Sequence, residues 1–336
     1  MNKNLNIYKL HFTTPLHLSN ESDDYAKSLQ TLHSDTLYAA LTSALAKVGY
    51  DFEEEFNGDL GFTISSLFPF YQIDKADKNP VYFFPKYRKI DVLPENMLDV
   101  HKKIKKIKWF DTESFKLHIR GEKIEDFYKD ENLYGSYYSK DKIDKDFISS
   151  QVFPHAQVPR QLIINGEEQD TKIYYMERLF FKDYSGMYFI AEGETNLLEK
   201  ALNILQYEGI GTDRNVGNGY FEWTKDEIKL DLPESDYSMN LSLYLPENQE
   251  QLKTILDENS AYSFKKRGGW VTTPPHNTIR KNRVYMFEEG SIFKTNSIIL
   301  GRIADLTPDL SELAPEQQLN HKIFRNGKSF FIPITL

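Results

Sequence analysis

Three stretches of the sequence carry residue types and spacings that could do chemistry. Gly209-Ile210-Gly211-Thr212-Asp213-Arg214-Asn215-Val216-Gly217-Asn218-Gly219 places four glycines in eleven residues around one arginine. Glycine is favoured where backbone turns with positive φ or comes close to a ligand. A dinucleotide fingerprint needs G-x-G-x-x-G leading from a strand into a helix. Here Arg214 stands in the third glycine's place and the order is helix, loop, strand, so Rossmann and P-loop sites are excluded. An anion at this loop would be met by its own N–H groups and by Arg214. The alternative is a glycine cap at Gly209 followed by a surface loop. The second stretch is Lys265-Lys266-Arg267-Gly268-Gly269-Trp270 with Arg280-Lys281-Asn282-Arg283. From Ser260 to Phe287 it holds six basic residues and no acidic one. Cations beside an aromatic face suit the phosphate and the splayed base of single-stranded RNA; the alternative is a solvated loop with a core tryptophan. The third is His17 with His33-Ser34-Asp35, where a histidine could serve acid–base work on RNA. No Asp, Glu or Lys at an interpretable spacing completes such a mechanism, and a histidine beside a helix start is more often structural. No metal-binding pattern is found. The basic run Lys102–Trp109 is a strip facing RNA or a neighbouring subunit, or a solvated face.

The elements that must position these residues are partly legible. Tyr8, Leu10 and Phe12 alternate with Lys9, His11 and Thr13, the period of a strand. Leu37, Ala40, Leu41, Ala44, Leu45 and Val48 form one helical stripe, for which Ser34 or Asp35 is the expected N-cap and Gly49 the stop. Residues 51–170 are harder. They hold strand-like pieces such as Val81–Phe84, and 121–146 has many charges and no period, which predicts an inserted lobe or mobile loop outside the core. Ile173–Phe181 and Met187–Ala191 are expected strands, and 195–205 an expected helix that stops at Gly209. Tyr220–Trp223 is the next expected strand. The path is β-α-β-β-α-β, the ferredoxin-like motif, with a large insertion.

A second unit begins near Met239. Met239, Leu241, Leu243 and Leu245 alternate with Asn240, Ser242 and Tyr244. A short helix is expected in 247–259, with strands near 262–265, 283–287 and 298–303. Ile323–Arg325 and Lys328–Phe330 flank Asn326-Gly327, a pair suited to a type I′ hairpin. The expected class is therefore α+β with two ferredoxin-like (RRM-like) domains. The first spans 1–225, with an insertion at about 51–170 that includes a thumb-like hairpin. The second, 235–336, is smaller or degenerate.

Composition bounds the partners. The chain has 336 residues, long enough for two cores. Its 41 basic and 50 acidic residues give a net charge of −9, which excludes a polybasic protein that wraps nucleic acid over its whole surface. An anionic partner must meet a local basic patch. The absence of cysteine removes disulfides, thiolate metal sites and cysteine nucleophiles, and fits a cytoplasmic location. No secretory signal and no run near the roughly 18 apolar residues of a membrane span are present, so no membrane partner is expected.

Taken together, these residues resemble a known family. Tyr8-Lys9-Leu10, Pro15-Leu16-His17 and His33-Ser34-Asp35-Thr36-Leu37 resemble the RAMP superfamily of CRISPR proteins. Glu208–Phe221 is similar to that superfamily's glycine-rich loop. Arg267–Val271, Val284–Ser291, His321–Gly327 and Phe331–Ile334 narrow the resemblance to the crRNA 5′-tag-binding, Cas5-like subunit of type III-A (Csm) effector complexes, whose type III-B equivalent shares the plan. The resemblance implies a non-catalytic subunit without cofactor that grips the repeat-derived 5′ tag of the crRNA. It implies docking of the large signature (polymerase/cyclase-like palm) subunit and of the first backbone RAMP subunit. It also implies a thumb hairpin that wedges guide from target RNA near the guide 5′ end.

Carried over by position, the tag contacts are His33, Ser34, the loop residues Gly209, Ile210, Gly211, Thr212, Arg214, Asn215, Gly217 and Gly219, and Arg267, Gly268, Gly269, Trp270, Arg280, Lys281 and Arg283. Arg160 corresponds to a basic residue ahead of the thumb. Cations and bare amides from both halves are expected to converge on one furrow. Thr212-Asp213 departs from the family's pattern, and Asp213 is expected to point away from phosphate or to touch a partner protein. The alternatives are a repeat-RNA-processing endoribonuclease of the same superfamily, using His17 or His33, and a pure protein–protein adaptor.

Overall fold

The first strand, Asn2–Phe12 (β1), has both faces buried, and this sets the layering of the molecule. Tyr8 and Leu10 face one hydrophobic cluster, Leu5 and Ile7 the other, as the two-residue period of a strand requires. The computed structural model describes residues 2–19, 25–55, 58–88, 98–158, 163–164, 167–168, 170–272, 275–295, 300–312 and 318–336.

After β1 come Ser34–Lys47 (α1), Phe62–Ile64 (β2), Phe68–Tyr71 (β3) and Val81–Pro85 (β4). Leu98–Ile104 (α2), Trp109–Asp111 (β5), Thr112–Ile119 (α3), Ile124–Phe127 (α4), Leu133–Tyr134 (β6) and Tyr137–Tyr138 (β7) follow. Next are Ile148–Gln157 (β8), the short pieces Ile163–Ile164 (β9) and Glu167–Glu168 (β10), and Lys172–Phe181 (β11). Gly186–Gly193 (β12), Thr195–Glu208 (α5) and Phe221–Asp231 (β13) close the first half.

The main sheet runs β13-β1-β12-β3-β4-β5-β7-β6, with β2 also pairing β12. α1 and α5 cover one face, burying Leu37, Leu41, Leu45, Leu198, Leu202 and Leu205 against Tyr8, Leu10, Phe62 and Phe189. Two expectations for this half are corrected. Ile173–Phe181 does not pair with the main sheet: as β11 it forms a two-stranded ribbon with β8, and the strand after α1 is supplied by β2 and β3. An aromatic run fits a ribbon as well as a core strand, so periodicity alone does not separate the two. Residues 121–146 are not a loop outside the core either. Ile124, Tyr137, Tyr138, Ile143 and the adjacent Phe147 are buried, and β5, β6 and β7 extend the main sheet. The packing comes from aromatics in pieces too short to show a period.

The second half holds Tyr237–Asn240 (β14), Gln249–Ile255 (α6), Phe264–Arg267 (β15), Val284–Phe287 (β16), Ile292–Lys294 (β17), Ile303–Asp305 (β18), Phe324–Asn326 (β19) and Phe331–Pro333 (β20). The Asn248 side chain caps α6 by accepting from the Gln251 N–H at 2.8 Å. β17-β14-β20 form a three-stranded sheet whose Met239, Ile292 and Ile332 join Leu5, Ile7 and Leu230 in the core opposite the helices. The Asn326-Gly327 hairpin is not formed: β19 pairs with β18 and β20 with β14. Gly327 is used for close approach, since a Cβ there would lie 2.4 Å from the Leu245 Cβ. Among the described residues no helix is long and apolar enough to cross a membrane.

Candidate nucleic-acid interface

The start of α1 is where the two halves lock together. Ser34 and Asp35 do not cap it; the N-cap is His33, which makes no side-chain capping bond. Both side chains are taken by the other half. The Ser34 hydroxyl accepts from the Leu243 N–H at 3.0 Å. The Asp35 carboxylate, fully buried, receives Arg267 Nε at 2.7 Å, Arg267 Nη2 at 3.1 Å and Arg325 Nη1 at 3.1 Å. Burial works to raise the Asp35 carboxyl, but the guanidinium charges of Arg267 and Arg325 outweigh it and hold the group well below the usual carboxylate range. Beside it, His33 Nδ1 lies 2.8 Å from Glu289 Oε1, and the Ser66 hydroxyl donates to the same oxygen.

Three expected RNA contacts, His33, Ser34 and Arg267, are thus internal and serve the joint between the halves. A local reading of charge could not foresee this, because their partners lie up to 256 residues away.

The other residues of the basic segment reach the surface. Trp270 is 48% exposed, and the exposed Arg280 guanidinium lies 4.3 Å from its ring centroid. The two residues form an antiparallel bridge, and the Lys281 N–H donates to Gly269 O at 2.9 Å. Gly269 has φ 99°, a conformation glycine allows at little cost. Gly268 lies against Arg283, whose side chain is exposed, and its carbonyl accepts from Arg325 Nη2 at 3.1 Å. Lys266 faces Tyr285 across the β15–β16 ribbon, and both are exposed. Lys281 is half-buried, and burial followed by repulsion from Arg325 pushes its ammonium down to about 8.

The glycine-rich loop leaves α5 at Gly209, whose N–H still bonds to Leu205 O at 2.8 Å. Its amides are less bare than expected. Ile210 donates to Gly219 O, Thr212 to His17 O and Gly219 to Pro15 O, at 3.0, 3.0 and 2.8 Å. A Cβ on Gly219 would sit 1.9 Å from Ile210 O, whereas one on Gly217 would meet nothing within 4 Å. The tip is a 3₁₀ turn, Arg214–Val216, with Arg214 and Asn215 exposed. Asp213 turns away from the tip toward Arg178 of β11, 3.9 Å away, so the loop leans on the two-stranded ribbon. Arg160 lies outside the described residues.

The two exposed cationic groups stand by different ends of α1. Lys281 and the Arg267–Asp35 pair flank the start of α1, and Lys47 at its other end borders the Gly211–Asn215 loop. Twelve helical residues separate Asp35 from Lys47, about 18 Å at 1.5 Å per residue. Between them a cleft of about 580 Å³ runs along α1, lined by Lys281 and Asn326 but also by Asp51, Glu53 and Glu54. Sequence reasoning does not single out Arg325, Glu289 or Asn326. Each lies in a sequence motif quoted above, but nothing in the local pattern shows that it faces α1.

Comparison with known proteins finds similar chains. Residues 233–334 match the family model of the CRISPR Csm4 C-terminal domain. A Csm4 protein of Thermococcus onnurineus is 26% identical over 90% of this chain and 91% of its own length. One of Streptococcus thermophilus is 27% identical over 90% and 93%. The fold resembles a chain in the crystal structure of a Csm3–Csm4 subcomplex of the type III-A CRISPR–Cas interference complex, with a TM-score of 0.58 at 19% identity over 99% of this chain and 100% of that one. It also resembles a chain of a Csm1–Csm4 cassette in complex with cA4, with a TM-score of 0.57 at 21% identity over 99% of both. The family match at the C-terminal end, and relatives that run with the chain over nine-tenths of its length, agree with the resemblance read from the sequence: residues 233–334 match the Csm4 C-terminal domain, and the chain is similar to Csm4 proteins along nearly its whole length.

Proposed function

We propose that this chain is a non-catalytic RNA-binding subunit that holds the 5′ tag of the crRNA in a type III-A complex. The observation that carries the proposal is the exposed Trp270–Arg280 stack with Arg283 beside it, at one end of α1, while Arg214 stands at the other end. Stacking of a base on an aromatic face and pairing of its phosphate with a guanidinium are the two contacts that single-stranded RNA offers irrespective of sequence. The helix between these ends is about 18 Å long from Asp35 to Lys47, the length of several nucleotides rather than one.

The β-α-β-β-α-β path of the first half, with sheet order β13-β1-β12-β3, is that of a ferredoxin-like unit. We read 235–336 as the reduced second unit, and the β8–β11 ribbon, which crosses the limit of 170 expected for the insertion, as the thumb that meets target RNA. We read the chain as a cytoplasmic subunit that anchors the large signature subunit and the first backbone subunit; that chains of similar fold were crystallised with Csm1 and with Csm3 supports the assembly.

The nuclease alternative needs an accessible histidine. His17 is fully buried, with Nδ1 2.6 Å from Glu177 O, and His33 is held by Glu289. These placements favour the binding role.

The test is charge reversal of Arg280 and Arg283 together in the assembled complex. Loss of guide RNA with the protein subunits still assembled is expected; normal guide occupancy contradicts the proposal. Arg267 is unsuitable for this test, because its reversal would leave Asp35 facing a second buried carboxylate.

A further inference from the structure

The cleft along α1 presents more negative charge than its own structure answers. Asp35 is buried and bonded to Arg267 and Arg325. The other carboxylates on the lining are Asp51, Glu53 and Glu54, and the lysines are Lys281 and Lys322. Glu53 and Lys322 pair at 2.5 Å. The Asp51 carboxylate accepts from the Glu53 and Glu54 N–H groups, both at 2.9 Å, which fixes the turn after α1. Asp51 and Glu54 are exposed, and neither has an ion-pair partner among the described residues. This turn calls for a cation.

Another part of the lining calls for an acceptor. Asn326 is 2% exposed; its Oδ1 accepts from the Lys328 N–H at 2.9 Å, which orients the amide and leaves Nδ2 buried with no acceptor. The half-buried Lys281 ammonium has no hydrogen bond or ion pair with a described residue. Buried donors without acceptors are uncommon in folded proteins and point to a missing partner.

The walls suit a chain segment. Ala39, Thr42, Ser43 and Ala46 recur at i, i+3, i+4 and i+7, so α1 offers one face of small side chains to the cleft, where a backbone can come close. Facing it are Phe52 and Phe324, half-buried with ring centroids 5.4 Å apart, and Val271 and Ile323. Aromatic faces beside carboxylates favour a cationic side chain. From Asp35 to Ala46 the floor is about 16 Å long at 1.5 Å per residue. An extended chain covers that with about five residues. At about 580 Å³ the cleft is too small for a folded domain and large enough for a few side chains.

We propose that this cleft docks an extended, arginine- or lysine-bearing segment of a neighbouring protein subunit, with the basic side chain at Asp51 and Glu54 and a backbone carbonyl at Asn326 and Lys281. Peptide is the occupant that supplies both a cation and a neutral oxygen acceptor. RNA supplies phosphates, which the carboxylates of the turn repel. The proposal rests on the reading of this chain as a subunit of an assembly and adds the surface and the chemistry of one contact; it does not rest on tag binding.

The test places a diazirine-bearing amino acid at Ser43 on the cleft floor, in the assembled complex, and maps the products of irradiation by mass spectrometry. A crosslink to a protein segment that carries arginine or lysine within about five residues of the marked position is expected. Glu54→Lys is expected to lower the yield of that crosslink about tenfold, because like charges facing each other disfavour an interface. Asn326→Asp, which keeps the acceptor for the Lys328 N–H and removes the donor, is expected to lower it as well, with unchanged circular dichroism of the chain. A crosslink to guide RNA, a crosslink to a protein segment without basic residues, or no crosslink in an intact complex overturns the proposal, and none of these results needs a second variant. A yield indifferent to both substitutions in folded protein overturns it too. In each of these cases the chain is still found with its neighbours, so the subunit reading stands; a chain that joins no complex at all would instead contradict that reading.

Discussion

Arg267 and Asp35 lie 232 residues apart in sequence and meet through two hydrogen bonds, Nε to Oδ2 at 2.7 Å and Nη2 to Oδ1 at 3.1 Å. The pair belongs to the joint between the two halves. A fork-to-carboxylate contact of this kind is geometrically specific as well as strong, so it fixes how the basic ribbon β15–β16 stands against α1.

Removing one side of this pair strands the other. Asp35→Asn takes from the buried Arg267 and Arg325 the carboxylate they share, and is expected to destabilise the chain by about 3–5 kcal/mol. The urea midpoint of the full-length protein measures it. A change under about 1 kcal/mol would show that the joint does not depend on this carboxylate.

Acid should open the same joint. Burial works to raise both Asp35 and Glu289, but Arg267 and Arg325 at the first, and the His33 and Ser66 contacts at the second, prevail, so each carboxyl sits below its ordinary value of 3.8 or 4.5. The unfolded chain then takes up protons before the folded chain does, so stability falls as pH drops through those ordinary values toward the folded ones. The contribution is fully present at pH 7. Urea midpoints from pH 7 to pH 3 are expected to fall below about pH 5, with a shallower fall in Asp35→Asn; equal slopes for the two proteins contradict the assignment.

The glycine loop offers an internal control. Gly219→Ala drives a Cβ to 1.9 Å from Ile210 O, while Gly217→Ala meets no atom within 4 Å and strains only the backbone. The second is expected to cost about 1 kcal/mol, and the first distinctly more, with loss of guide retention because Arg214 is displaced. Equal effects in guide-binding and melting assays would remove the loop from the interface.

Trp270 and its neighbours separate stacking from charge. Trp270→Ala is expected to weaken tag RNA by about 1–3 kcal/mol with little change in salt dependence. Arg280→Ala or Arg283→Ala is expected to make the slope of log K against log salt shallower by about 0.7 for each phosphate that is no longer neutralised. Fluorescence titrations of the complex at several salt concentrations distinguish the two patterns.

What could be read from the sequence follows the range of the interactions. α1 shows its stripe because Leu37, Leu41 and Leu45 recur at the helical period and face one core. The glycine loop and the exposed Trp270 are visible because local composition sets them apart. By contrast, the pairing of β11 with β8, the burial of 121–146 and the failure of the Asn326-Gly327 hairpin depend on what each segment meets across the fold. The same holds for charge. Arg267 and Arg280 look alike in the sequence; only the fold hands one to Asp35 and leaves the other over Trp270.

The central claim is tested most directly by photocrosslinking. A guide carrying 4-thiouridine at positions within the 5′ tag is assembled into the complex, irradiated, and the crosslinked peptides of this chain are mapped by mass spectrometry. Crosslinks within 209–219 and within 264–287 are predicted, from different tag positions, as groups by different ends of α1 require. Tag crosslinks confined to other subunits, with neither segment marked, would contradict the account.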